Sequence, residues 1–281
     1  MVGNKARTTL DTRLHAAFTE GGAGPVFQVL HEPASAPCRG VVLYVHPFAE
    51  EMNKSRRMAA LQARALTTRG YAVLMPDLYG CGDSGGDFAE ARWETWVADL
   101  RHARDRLLAQ YGGPLVLWGL RAGCLLLDEL HSDSPEAVAA AVLWQPVANG
   151  ELHLTQFLRL RMAAGMMGGA KETTGQLRAR LEGGEVLEVA GYGLAPELAA
   201  RLAAARLNPP PDGPVCWLEV SQAANAELSP ASTRVADAWR QDGVPLHTAV
   251  VRGEPFWTTQ EIREAPELID ETLRWLDEIM R

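Results

Sequence analysis

At 281 residues, with 47% hydrophobic and 22% charged residues and a formal net charge of −8, the chain has the balance of a globular protein with a sizeable core. That balance excludes the disordered class, argues against nucleic acid or anionic lipid as the main partner, and leaves no run near the ~20 apolar residues that cross a bilayer. The four cysteines, Cys38, Cys81, Cys124 and Cys216, lack the paired spacing of a zinc site and the density of a disulfide scaffold.

Met1–Phe18 mixes charged and apolar residues without a leader-like pattern, so a cytoplasmic chain with neither metal nor cofactor is expected. Strands are predicted at Val26–His31, Val41–Val45, Ala72–Met75, Leu115–Trp118 and Ala141–Trp144, then at Val215–Val220 and His247–Val251. Several are continuous apolar runs, as strands buried on both faces should be. Between them, Ser55–Thr68 and Trp93–Leu108 carry apolar residues at helical spacing, with Gly70 and Gly112 as stop signals. Strands alternating with helices imply a mostly parallel sheet covered by helices on both faces.

Val147–Pro214 breaks the rhythm. Helices are predicted at Leu154–Met167, Glu172–Leu181 and Pro196–Leu207, with a lone strand-like segment at Glu185–Ala190 and a stiff linker at Asn208–Pro214. The expected organisation is a core of residues 1–146 and 215–281 with an inserted, mainly helical lid at 147–214. Within the lid, Gln156, Arg159 and Tyr192 are candidates for reaching inward.

The chemistry-bearing segments lie where strands end. Gly119-Leu120-Arg121-Ala122-Gly123 follows a buried strand and opens a helix, which is the glycine spacing of the G-x-S-x-G nucleophile elbow of α/β-hydrolases. The glycines suit a turn too sharp for side chains on either flank. Arg121 stands at the nucleophile position, and an always-charged guanidinium serves neither as nucleophile nor as base. It does make an anion site or a structural ion pair, and both readings stay open.

His46-Pro47-Phe48 occupies the place of an oxyanion-hole turn, with Pro47 removing an amide donor. Glu50, Glu51, Lys54, Arg56 and Arg57, with Asn53 among them, then concentrate charge in a loop that is either solvated or faces Arg121 across the cleft, with Glu50 or Glu51 as counter-ion. Cys81 is expected near the cleft, as a small loop residue or as a thiol that a nearby cation could activate; Ser84 is expected to shape its loop, and Cys124 to pack in the core.

The acid and base of a serine triad should follow the last two strands. The first turn offers only Glu227 as an ionisable group, while the second, Arg252 to Thr259, has Glu254 and Trp257 but no histidine. His247 lies at the far end of its strand and is expected to be structural or exposed.

Pro47–Lys54, Leu117–Arg121, Trp144–Val147, Gln156–Arg159 and Glu188–Tyr192 together resemble hydrolase 2 of the exosortase A system, an α/β-hydrolase branch found beside bacterial exopolysaccharide and protein-sorting loci. The resemblance covers most of the chain and implies an α/β-hydrolase fold. Its name implies a hydrolase, while Arg121 departs from the serine that such chemistry uses.

Two functional readings follow. In the first, the cleft binds an anionic or carbonyl-bearing small molecule or saccharide-linked group through Arg121, with His46, Phe48, Asn53, Lys54, Arg57, Cys81 and Trp257 as further contacts. In the second, Glu50 or Glu51 is a general base and Arg121 orients the substrate. The oligomeric state is left open.

Overall fold

A computed structural model describes residues 12–34, 38–133, 138–167, 172–209 and 213–280. An eight-stranded sheet forms its centre. In chain order its strands are β1 (Arg13–Glu20), β2 (Pro25–Glu32), β3 (Gly40–Val45), β4 (Tyr71–Pro76), β5 (Leu115–Leu120), β6 (Val138–Trp144), β9 (Val215–Ser221) and β10 (Leu246–Arg252). A two-stranded hairpin, β7 (Leu187–Val189) with β8 (Tyr192–Leu194), stands apart from it.

The spatial order is β1-β2-β4-β3-β5-β6-β9-β10, with β1, β2 and β4 joined antiparallel and every strand from β4 to β10 parallel. This is the mostly parallel sheet expected of an α/β-hydrolase fold. Side chains alternate across it: Val41, Leu43 and Val45 enter one buried cluster, Val42 and Tyr44 the other. Helices α2 (Trp93–Tyr111) and α3 (Cys124–Asp133) cover the first face. Helices α1 (Glu50–Thr68) and α8 (Pro266–Ile279) cover the second.

Three segments differ from expectation. First, β1 was not anticipated from Met1–Phe18, because it exposes nearly every residue and so has no buried face to set an apolar pattern. Second, α1 starts at Glu50, so the charged loop expected up to Arg57 is the first two turns of a helix. Its buried positions there include Glu51 and Ser55, polar residues that hide the amphipathic period, and Ala49 offers no side-chain cap to signal the start. Third, the strand expected at Glu185–Ala190 is a hairpin whose Ala190 and Gly191 both take positive φ, 52° and 85°, as a tight two-residue turn needs.

Helix α7 (Pro230–Gln241) and α8 have no counterpart among the expected elements. Residues 210–212 of the expected linker lie outside the described residues.

In the inserted stretch, α4 (Gly150–Met167), α5 (Thr174–Glu182) and α6 (Pro196–Ala204) follow the predicted helices. Leu154, Phe157 and Leu158 of α4 and Leu198 and Leu202 of α6 belong to the same buried cluster as Val41 and Leu43. The segment therefore extends the core of one sheet face. No helix among the described residues is long and apolar enough to cross a membrane.

Beside the elbow β3 approaches closely at Gly123, where a Cβ would stand 2.5 Å from the carbonyl oxygens of both Val45 and His46. Gly123→Ala should push β3 and the elbow apart and destabilise the protein by roughly 1–3 kcal/mol, the usual range for overpacking. Equilibrium urea unfolding checks this, and an unchanged midpoint would show that the approach is looser than described.

Candidate functional site

Strand β5 ends at Leu120, and Arg121 turns the chain into a single helical turn leading to α3. Arg121 has φ +54°, a left-handed conformation that a non-glycine residue adopts only when its surroundings enforce it. The turn is closely packed on both flanks, which is why glycine stands at 119 and 123. A Cβ at Gly119 would meet the Cα, N and Sγ of Cys124 at 2.9–3.0 Å, and Gly123 is pressed against β3. Cys124 is buried there, as expected.

The elbow aims Arg121 at the start of α1. Its Nε and Nη2 both donate to Oε1 of Glu51, at 3.2 and 3.0 Å, and Nη1 donates weakly to the Gln145 carbonyl at 3.4 Å. The Trp257 ring lies beneath the guanidinium, with its centroid 5.3 Å from Cζ. With side chains 15% and 8% exposed, the arginine and glutamate form a largely dry ion pair. Glu51 is thus the counter-ion expected across from Arg121. Its other oxygen, Oε2, is buried without a partner among the described residues. Burial raises the Glu51 carboxyl above its ordinary value, opposed by the Arg121 charge, and burial also raises Glu50.

Phe48 is buried at the centre of an aromatic group. Edge-on contacts join it to Phe88, Trp96 and Phe157 at 5.2–6.0 Å, and to the ring of His153 at 5.9 Å. These rings fill the space expected to be an open cleft. The hollow lined by His46, Phe48, Trp93, Trp96, Ala122, Gly123 and Leu202 measures about 10 Å³, at the lower limit for one water molecule. An open polar hollow of about 420 Å³ lies beyond β9 and β10, lined by Gln222, Arg252, Gly253, Glu254 and Glu264.

Several expected contacts are committed elsewhere. His46 is buried, with Nδ1 at 2.8 Å from the Pro47 carbonyl and Nε2 accepting from the Leu78 amide at 3.2 Å, so it ties β3 to the loop after β4. Burial keeps its imidazole below the usual value. Arg57 is exposed and pairs with Glu264 at 2.7 Å. Cys81 is a buried core residue rather than a contact at an open cleft, and of its two expected readings the reactive thiol is disfavoured, because burial raises the thiol. Asn53 is exposed, 3.5 Å from the Tyr192 hydroxyl, and Lys54 is half-buried beside Glu50 and Glu51.

Gln156 and Arg159 are exposed, contrary to expectation. The inward face of α4 carries His153, Leu154, Phe157 and Leu158, one helical stripe that Gln156 and Arg159 do not share. Tyr192 does reach inward, its ring edge-on to Phe88 at 5.1 Å. Ser84 donates to the Asp77 carbonyl and accepts from the Phe27 amide at 2.8 Å, which is the loop-shaping role expected.

Of the groups near the triad's acid and base positions, Glu227 is exposed and Glu254 pairs with Arg263 at 3.3 Å. His247 bonds Glu271 at 2.8 Å, away from the elbow. Trp257 occupies the turn after β10.

His153 is the residue that sequence reasoning missed. It is buried, and neither ring nitrogen has a partner among the described residues. Burial first, then the Arg121 charge, lowers it to about 3. Only the phase of α4 could have exposed it, and the leucines on the outer side of the helix, Leu152 and Leu160, blur that phase.

A family model described as Serine aminopeptidase, S33, matches residues 36–182, just over half of the chain. The chain belongs to this family. Its members are α/β-hydrolases, in agreement with the sheet order and the elbow described above. Among solved structures, this S33-family chain is similar to Est1E from Butyrivibrio proteoclasticus with ferulic acid bound, at 15% identity and TM-score 0.71, over 94% of this chain and 99% of that one. It is also similar to a thermostable carboxyl esterase from Bacillus coagulans in complex with glycerol, at 14% identity and TM-score 0.66, over 95% and 99%. A soluble variant of monoglyceride lipase from Saccharomyces cerevisiae gives 14% identity and TM-score 0.61, over 98% of each chain. At such identities the likeness shows the fold alone. No curated protein sequence matches the chain.

The state of His153 has a consequence for stability. Folded, it stays neutral down to about pH 3, whereas unfolded it binds a proton near 6.5. The unfolded state therefore takes up the proton first, and stability falls as pH drops from about 6.5 towards 3. His153→Leu should flatten that part of the stability-versus-pH curve, measured by denaturant midpoints at pH 4.5 and 7.5. An unchanged slope would place the titration elsewhere.

Proposed function

We propose that this S33-family chain works by binding rather than by serine hydrolysis, as a member of the branch called hydrolase 2 of the exosortase A system. Its ligand is an anionic or carbonyl-bearing small molecule or saccharide-linked group, connected with exopolysaccharide or protein sorting in the cytoplasm. The observation that carries this reading is Arg121 at the elbow, in the strained backbone conformation that projects one side chain above the sheet. An arginine cannot form an acyl-enzyme, and the turn after β10 presents Trp257 where a general base should stand.

The guanidinium keeps donor capacity for a ligand, since its contact to the Gln145 carbonyl is long, at 3.4 Å. In this reading residues 147–214 are a lid over the core, and α4, which seats His153 and Phe157 against Phe48, moves aside to admit the ligand.

One observation favours a second reading. Glu51 combines a raised carboxyl with a buried, unpartnered oxygen, features of a general base that Arg121 would orient. Turnover of activated esters separates the two. Under the binding reading, purified protein shows no turnover of p-nitrophenyl esters above background. Arg121→Ser gains none, because it lacks a base after Val251 and Pro47 withholds an oxyanion donor that elsewhere is worth roughly 3–4 kcal/mol. Turnover by the parent that Glu51→Gln abolishes would overturn binding in favour of catalysis.

A further inference from the structure

Strand β1 is the outer edge of the sheet, pairing on one side only, with β2, among the described residues. Gly21 N–H donates to the Gly24 carbonyl at 2.9 Å, so in this register the mutually hydrogen-bonded pairs are Thr19 with Val26, Ala17 with Gln28 and His15 with Leu30. The N–H and C=O groups of Leu14, Ala16, Phe18 and Glu20 therefore point away from β2, towards whatever lies beyond the edge. On one face of the strand the same residues present side chains in a row, and Leu14 and Phe18 are 54% and 61% exposed.

Nothing between them blunts the edge. Leu14 to Thr19 contains no proline, glycine or lysine, the residues that usually protect an open strand, and β1 pairs with β2 residue for residue without a bulge.

We infer that β1 is the contact by which two copies of this chain associate, joining their sheets antiparallel about a two-fold axis at Ala16. The symmetry decides the register. In an antiparallel two-fold pair the outward-facing residues must oppose one another, so the sum of paired numbers is even. Centring on Ala16 sets Leu14 opposite Phe18 of the partner subunit and Phe18 opposite the partner's Leu14, with two small alanines at the axis. Centring on Ala17 instead would set Leu14 against the carboxylate of the partner's Glu20, a poor match. About Ala16 the strand is thus self-complementary, apolar side chain against apolar side chain, and this points to a second copy of itself as the occupant. Because the partner's sheet runs in the opposite direction, the two elbows open at opposite rims, and neither site borrows a residue from the other.

Sedimentation velocity over a concentration series tests the association, with single cysteines in a Cys38→Ser background testing its register. The chain should show a reversible monomer–dimer equilibrium. Phe18→Lys should weaken it at least tenfold, with only a small change in thermal melting at concentrations where the parent is monomeric, since Phe18 lies largely outside the core and touches Phe27 alone among the rings of the described residues. Ala16→Cys should form a disulfide-linked dimer under mild oxidation, because opposed residues of a hydrogen-bonded pair lie about 5.5 Å apart between Cα atoms. Ala17→Cys, offset from its own copy, should not. A monomer at every concentration, a dimer indifferent to Phe18→Lys, or cross-linking through Ala17→Cys rather than Ala16→Cys would each overturn the inference.

Discussion

A single buried charge organises the functional end of this molecule. The sharp turn after β5 holds residue 121 at φ +54° and directs its side chain at the start of α1. Because that residue is arginine, the turn delivers a cation into a largely dry space, where an unpaired charge would cost several kcal/mol. Glu51 answers it from the first turn of α1, where a carboxylate also suits the helix dipole. Trp257 closes the guanidinium from the loop after β10. Three segments far apart in sequence are thereby tied at one point, and the geometry that serves nucleophilic attack in serine hydrolases here serves an ion pair.

The fold was largely legible because parallel strands buried on both faces must be apolar almost throughout. Val41–Val45 and Leu115–Trp118 stand out for that reason, and both lie within the strands observed. The elbow was legible because two close backbone approaches demand glycine at 119 and 123. Its counter-ion was legible too, since an arginine in that place needs an acid and the nearest strand end supplies Glu50 and Glu51.

What stayed hidden had physical reasons. The opening turns of α1 bury Glu51 and Ser55, so the helical period there is written in polar residues. β1 has no buried face at all. His153 is one polar residue on an inward face otherwise made of leucine and phenylalanine, and nothing in its neighbourhood marks it as chemistry. The closing of the cleft by Phe48, Trp96 and Phe157 depends on rings from three separate segments, a convergence that only the folded chain displays.

Membership of the S33 family and similarity to esterase and lipase structures establish a scaffold, and a scaffold hosts more than one chemistry. Arg121 and Glu51 form a coupled pair at the elbow, and a thermodynamic double-mutant cycle measures that coupling most directly. Arg121→Met and Glu51→Gln should each destabilise the protein, the first by about 3–5 kcal/mol because it strands a buried carboxylate. The double variant should lose clearly less than the sum, with an interaction energy of at least about 1.5 kcal/mol. Additive losses would contradict the account, for they would mean that the two side chains sit near one another without depending on one another.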